Sequence, residues 1–210
     1  MRPTNDPARE RYRAAVQPLL EELAAAGLRV HQLPELRRHG ANAATALPAL
    51  VRALESAQDP QLVEELARVL AVPWARELAL RPLLAAFRRT PNSPPAPKAA
   101  LAAAIELLAD DEVEAELVEL ARTKSHGNAR ELLVLALPKL SSPRLVDTVA
   151  DLCADPGVGG HALVALGRLV ARHRTPVEFA VVKPFLRDGR AWVRRDAKEL
   201  LALLETLPRV

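Results

Sequence analysis

The chain has 210 residues, enough for one compact domain or one short repeat array, and half of them are apolar. Aromatic residues make up only 3%, so leucine, alanine and valine must fill the core, which favours helices packed closely on helices. A formal charge of +3 does not by itself indicate nucleic acid, and the single cysteine excludes a disulfide within the chain.

Apolar residues recur at helical spacing from the N-terminus onward. In a helix predicted over 6–26, one face carries Val16, Leu19, Leu20 and Leu23, and Gly27 is placed to end the helix in a left-handed cap. Asp, Ser, Thr and Pro then divide the chain into short helices, because they cap helix N-termini or fit their first turns. The pattern predicts no strand, a turn near 34–39, and helices at 44–56, 60–71, 74–89, 97–109, 111–123, 128–140, 143–154, 158–171, 176–187 and 191–206.

From residue 44 onward these helices form five consecutive antiparallel pairs with an internal repeat of 34 residues. Apolar residues recur at that interval, and a proline stands two residues before three of them: Leu50, Leu84, Val118, Leu152 and Leu186, with Pro48, Pro82 and Pro184. A proline inside a helix removes one backbone hydrogen bond and bends the helix. We therefore expect the same bend in each of these pairs.

The second helices of the later pairs share an Ala-x-x-x-Leu pattern, which places a small residue where helices approach and leucines in the layer that follows. The sequence resembles HEAT repeats, which have a proline in the first helix, a short turn and a second helix that opens with Val-Arg. The resemblance is clearest over 186–197. The resemblance implies an all-α fold, a right-handed α-α superhelix of about five helical pairs. Residues 1–43 are expected to cap an array over 44–210, within a single domain overall, although the N-terminal 40 residues fit a functional arm equally well.

HEAT families often pair an Asp in the turn with an Arg that opens the second helix, across stacked repeats. Asp188 and Arg194 match those positions, whereas Gly159 stands where the preceding repeat would carry the Arg. The segments 127–130, 160–162 and 192–194 also resemble small bacterial HEAT-repeat proteins, a group without a settled activity. A 34-residue period also suits tetratricopeptide repeats, but the chain has too few aromatic residues for them.

No catalytic, metal or cofactor site is predicted. The five histidines do not share a helix at i, i+4 or neighbour a cysteine, and no Gly-x-x-x-x-Gly-Lys-Ser/Thr loop is present. The glycine-rich run 157–160 follows no strand, so close packing at a repeat junction explains it better than a dinucleotide site. Cys153 and Trp74 are predicted to be packed in the interior.

Charge is unevenly placed along the chain. An acidic block, predicted to lie on a first helix, contains Glu106, Asp110, Asp111, Glu112, Glu114, Glu116 and Glu119. A basic block covers the last two pairs and contains Arg168, Arg172, Arg174, Lys183, Arg187, Arg190, Arg194, Arg195 and Lys198. Two interpretations stay open: solvated faces that keep the chain dispersed, or an electrostatic footprint for an acidic partner or a phosphate backbone.

The leading functional hypothesis is a non-catalytic scaffold that binds a protein partner through a concave face lined by second helices. The contacts expected for this partner lie near the starts of those helices: Arg130, His161, Trp192, Arg194 and Arg195. Trp192 itself has two interpretations, a plug between the last repeats or an exposed anchor of the kind that dominates interfaces.

The main alternative is a DNA-binding protein, similar to the HEAT-like alkylpurine DNA glycosylases that hold DNA in a basic groove lined by aromatic residues and a catalytic Asp. The chain has a basic end but lacks the aromatic cluster. A HEAT-like chromophore lyase is a third class, and no residue specifies a tetrapyrrole site. No signal peptide and no run of about 18 uncharged apolar residues is visible, so the expected location is the cytoplasm and no membrane contact is expected.

Overall fold

The computed structural model describes residues 6–207, and for residues 39–42 the backbone alone. Every regular element in this range is helical, which confirms the all-α prediction. None of these described helices is long and apolar enough to cross a membrane. The chain divides into two compact units, unit 1 ending at Leu108 and unit 2 beginning at Ala109.

Over residues 6–108, unit 1 contains five α-helices. They are α1 (Pro7–Ala25), α2 (Leu47–Ser56), α3 (Pro60–Leu70), α4 (Arg76–Arg89) and α5 (Pro95–Leu108). Each sequence-adjacent pair packs together, α2 with α3 and α4 with α5, and the pairs also meet through α2 with α4 and α3 with α5. The pairs therefore form two layers, with α1 lying against α2 and α3.

Local chemistry explains where these helices begin and end. The Asp59 side chain accepts a hydrogen bond from the backbone N–H of Leu62, 3.0 Å away, and so caps α3. Gly27 adopts φ +86° after α1, and the N–H of Leu28 returns to the carbonyl of Leu23 at 2.9 Å. This arrangement satisfies the last carbonyls of α1 and confirms the predicted left-handed cap.

The described part of unit 2, residues 109–207, contains six α-helices. They are α6 (Glu114–Arg122), α7 (Arg130–Ala136), α8 (Leu145–Leu152), α9 (Gly159–His173), α10 (Phe179–Val182) and α11 (Ala191–Glu205). Here α6 packs on α7, α8 on α9, and α10 on α11, while α7 also packs on α9 and α9 on α11. The helices that come second in each pair therefore form one continuous layer within unit 2.

Several predicted helices are partly 3₁₀ helix. These 3₁₀ segments are Leu33–Ala46, Pro73–Ala75, Asp111–Val113, Lys124–Ala129, Leu137–Lys139 and Lys183–Arg187. In the segment predicted as one helix over 128–140, only Arg130–Ala136 is α-helix. The 3₁₀ turn before it contains Gly127 with a non-helical φ of 61°, and the 3₁₀ turn after it contains Pro138, which lacks an N–H.

The prediction of a common proline bend is wrong. Pro48 lies in the first turn of α2, Pro82 lies inside α4, and Pro184 lies at the start of a 3₁₀ helix. A proline in the first turn lacks an N–H that would have no helical partner in any case, so it is tolerated there without bending the helix. Of the apolar residues that recur every 34 positions, three are buried, namely Leu50, Leu84 and Leu152. The other two, Val118 and Leu186, are half-buried.

The two predicted interior residues have different outcomes. Cys153 is buried, which confirms the prediction, and burial raises the pKa of its thiol to about 12. Trp74 is 41% exposed, so its predicted packing is wrong. It lies in the 3₁₀ turn before α4, where its neighbour Ala75 takes the interior position instead.

Candidate functional site

Three helices of unit 2 begin side by side, and their first turns bring polar and aromatic side chains together. Glu131 lies in the first turn of α7, His161 in that of α9 and Trp192 in that of α11. Arg190 lies directly before α11. We call Glu131, His161, Trp192 and Arg190 the helix-start row. Two of its members were not predicted as contacts: Glu131, which follows Arg130, and Arg190, which stands in the Asp188 turn.

His161 is the centre of the helix-start row. Its ring lies 5.2 Å from the Trp192 ring, centroid to centroid, at an interplanar angle of 48°. Its Nδ1 lies 3.8 Å from Oε1 of Glu131, beyond hydrogen-bond distance. Within the described residues this buried Nδ1 has no hydrogen-bond partner. An unsatisfied buried polar atom costs about 1–3 kcal/mol, so a bound group or a rotation of the imidazole that satisfies it would be stabilising.

Arg190 is held against Trp192 by a carboxylate. Its guanidinium carbon lies 5.2 Å from the Trp192 ring centroid, while its Nε and Nη2 each donate to the Asp188 carboxylate at 2.9 Å. The backbone N–H of Arg190 adds a third hydrogen bond to Asp188 at 2.8 Å. The side-chain hydrogen bond from Arg190 lowers the pKa of Asp188 to about 2. The carboxylate therefore stays charged and fixes the guanidinium over the indole face.

The glycine-rich run makes this packing fit, as the sequence predicted. A Cβ on Gly160 would lie 2.7–2.9 Å from the Arg190 guanidinium, and a Cβ on Gly159 would lie 2.7 Å from the carbonyl oxygen of Cys153. Both distances are shorter than a carbon atom tolerates. These glycines therefore allow α9 to begin directly against the end of α8 and against the Arg190 side chain.

Arg130 lies in the interior, unlike the surface contact that was predicted for it. Its side chain is 4% exposed, and its Nη1 donates to Oδ2 of Asp155 at 2.8 Å and to the carbonyl of Ala121 at 3.1 Å. Its Nε donates to the carbonyl of Gly127 at 3.2 Å. The guanidinium thus joins the end of α6 to the turn before α9.

The Asp188–Arg194 side-chain pair expected from the HEAT resemblance does not form. The Asp188 carboxylate binds Arg190, whereas Arg194 donates to the backbone carbonyls of Asp188 and Gly189 at 2.7 and 2.9 Å. Asp155 and Arg130 form the pair that links the turn before α9 to the start of α7, the second helix of the preceding pair. The sequence feature that could have predicted this pair is an Asp in the turn before α9 together with an Arg at the start of α7.

Four members of the basic block have carboxylate or backbone carbonyl partners within unit 2. Arg195 pairs with Asp196 at 2.9 Å, Arg172 donates to the carbonyl of Leu140 at 2.8 Å, and Arg190 and Arg194 are engaged as described. The other members of the block are exposed: Arg168, Arg174, Lys183, Arg187 and Lys198. The structure therefore brings His161 and Trp192 together, and it gives Arg130 and Arg194 internal partners.

Over the described residues, no group of three or more His, Cys, Asp or Glu side chains is close enough to hold a metal ion. The row offers aromatic faces, one guanidinium and one imidazole, which are groups that recognise a partner surface. Comparison of the chain with protein-family models, with curated proteins and with solved structures gave no match.

Proposed function

We propose that the chain is a non-catalytic, HEAT-like helical scaffold that binds a protein partner through the helix-start row of unit 2. The observation that carries this proposal is the half-buried Trp192, which lies between His161 and the immobilised guanidinium of Arg190. Tryptophan and arginine are the residues most enriched at the energetic centres of protein interfaces. A side chain that is already fixed before binding loses little conformational entropy on binding.

The pairwise packing of helices supports the repeat interpretation. Each second helix of unit 2 packs on its own first helix and on the next second helix, as stacked repeats do. In a right-handed superhelix of such pairs, the starts of α7, α9 and α11 line the inner, concave face, and the row would lie on it.

The internal use of the basic block favours a protein partner over DNA. Affinity for a phosphate backbone grows with the number of cations that are free to neutralise phosphates. Arg172, Arg190, Arg194 and Arg195 already bind carboxylates or backbone carbonyls of unit 2. These internal hydrogen bonds leave fewer of their N–H donors for phosphates.

Trp192→Ala tests the proposal, and Trp74→Ala in unit 1 is the matched control, because both remove a partly exposed indole. Tagged wild-type chain is used to capture partners from native lysate with and without nuclease, and each captured protein is identified, purified and titrated against the three chains. We expect Trp192→Ala to weaken the partner's affinity roughly 30-fold, the loss typical of an interface centre, and Trp74→Ala to leave it unchanged.

Two outcomes contradict the proposal. Equal affinity of wild type and Trp192→Ala, with both chains showing the same thermal unfolding midpoint, removes the row as the site. Capture of nucleic acid alone, lost on nuclease treatment and falling steeply with salt, replaces the scaffold with the DNA-binding alternative.

A further inference from the structure

An open groove of about 440 Å³ runs between α9 and α11. It continues from the helix-start row along the same helix faces. Val164 and Arg168 follow His161 by one and two turns on α9, and Arg195 and Glu199 follow Trp192 in the same way on α11.

The floor of the groove is apolar and has an unfilled place in its middle. The floor is lined by Leu163, Val164, Leu200 and Leu203, and Gly167 lines it from the middle of α9. A Cβ on Gly167 would meet no atom within 4 Å, in contrast to Gly159 and Gly160 at the start of the same helix. Glycine inside a helix costs about 1 kcal/mol relative to alanine, and no contact within unit 2 requires it here. The missing side chain leaves room for one supplied by a partner.

The charges of the groove leave one cation unpaired. Arg195 binds both carboxylates of the groove, Asp196 at 2.9 Å and Glu199 at 3.8 Å. Arg168 is exposed and has no ion pair or hydrogen bond among the described residues. An occupant that complements the groove therefore carries apolar side chains and one carboxylate.

We propose that the α9–α11 groove binds an acidic amphipathic helix of a partner protein, which places a large apolar side chain over Gly167 and an Asp or Glu carboxylate on Arg168. The lining from Leu163 to Ala171 extends about 12 Å along α9, which matches two turns of a third helix. A helix laid between two others contacts them through apolar residues at i, i+3 or i+4 and i+7. This proposal rests on the proposed function, in which unit 2 binds a protein, and it adds the chemistry of the bound segment.

Selection from a displayed library of random peptides, each of about 12 residues or three helical turns, tests the groove on the immobilised full chain. We expect enriched peptides to combine Leu, Ile, Met or Phe with Asp or Glu within one turn. The best peptide, fluorescently labelled, is then titrated by anisotropy. Gly167→Leu fills the space over Gly167, and Arg168→Glu reverses the charge at that position. Each substitution is expected to weaken peptide binding roughly tenfold or more. A second selection on Arg168→Glu should enrich Lys or Arg in place of the acidic residue.

The matched control is Lys198→Glu, which makes the same charge reversal at an exposed lysine of α11 outside the groove lining. We expect it to change the peptide's affinity by less than about twofold, since exposed charges at a distance are screened by salt. Thermal unfolding of each variant shows whether it is folded. Gly167→Leu should remain folded, because its Cβ meets no neighbour.

The groove proposal is overturned if no peptide is enriched over blank resin, or if enriched peptides bind Gly167→Leu and Arg168→Glu as they bind wild type. Displacement of the peptide by a single-stranded DNA probe, or a dimer in sedimentation that Gly167→Leu dissociates, assigns the groove to nucleic acid or to a second copy. A captured partner that needs Trp192 but ignores both groove variants leaves the proposed function intact and removes this inference alone.

Discussion

Among the residues whose side chains the structure describes, each unit buries one cation, and the two are held in different ways. In unit 1, Lys98 is 4% exposed, and its Nζ donates to the carbonyl of Thr90 at 2.8 Å and lies 5.0 Å from the centroid of the Phe87 ring. In unit 2, Arg130 is 3% exposed and binds a carboxylate as well as carbonyls. Among the described residues, Lys98 has no ion pair.

Both cations nevertheless reach the same kind of acceptor. Thr90 follows the last residue of α4, and Ala121 lies in the last turn of α6. The last carbonyls of a helix have no helical partner and carry partial negative charge. Arg89 uses the carbonyl of Leu54 near the end of α2 in the same way. Basic residues at the junctions between helices of this chain therefore serve as caps, so their number says little about the charge of a binding partner.

The largest expected effect comes from removing the partner of Arg130. Asp155→Ala leaves a buried guanidinium without its carboxylate, and we expect a loss of about 3–5 kcal/mol in the free energy of unfolding. Urea denaturation followed by circular dichroism measures this loss. A loss below about 1 kcal/mol would show that the carbonyls of Ala121 and Gly127 hold Arg130 without the ion pair.

The same pair makes the stability depend on pH at the acid end. The hydrogen bond from Arg130, aided by that from Gly157, lowers the pKa of Asp155 below the usual value of 3.8. The unfolded chain therefore binds this proton first, so the stabilisation is fully present above about pH 4 and is lost as the pH falls through the folded pKa. The difference in stability between wild type and Asp155→Asn should shrink over that range, and urea titrations at several acidic pH values test the sign.

A smaller loss of stability is expected when a new side chain crowds Arg130 but leaves its ion pair in place. A Cβ on Gly157 would lie 2.8 Å from Nη2 of Arg130, and the ion pair limits how far the guanidinium can move. Gly157→Ala should destabilise unit 2 by about 1–2 kcal/mol. The control is Gly167→Ala, which meets no atom within 4 Å and should stabilise the chain by about 0.5–1 kcal/mol through helix propensity. Equal effects of the two substitutions would contradict the crowding at Gly157.

The smallest effect is expected in unit 1. Lys98→Met removes a desolvated charge that has no carboxylate to leave behind, and it should raise the free energy of unfolding at neutral pH by about 1 kcal/mol or less. Burial lowers the pKa of Lys98 below 10.5. Wild-type stability should therefore rise with pH between the two pKa values, and the advantage of Lys98→Met should shrink as the pH approaches 10.5. A destabilisation above about 2 kcal/mol would show that the bond to Thr90 and the Phe87 contact outweigh desolvation.

Helical periodicity and punctuation were sufficient to locate most helices, because both are local. The predictions of 60–71, 158–171 and 191–206 agree within two residues with Pro60–Leu70, Gly159–His173 and Ala191–Glu205. Phase alone did not distinguish α-helix from 3₁₀ helix, as Leu137–Lys139 within the predicted helix 128–140 shows, because both place apolar residues at nearly the same spacing.

Within the candidate site, the sequence placed His161 and Trp192 near each other, because aligned second helices begin in register. It could not assign the side-chain partners. Arg130 is buried because α7 packs on α9, which brings Arg130 to Asp155. The Asp188 carboxylate binds Arg190 and not Arg194, because the turn brings the Arg190 guanidinium to it. The sequence by itself determined the helices, since their signals lie within a few residues of one another. Only the tertiary structure decided which charges are buried and paired, since that depends on contacts between residues far apart in the chain.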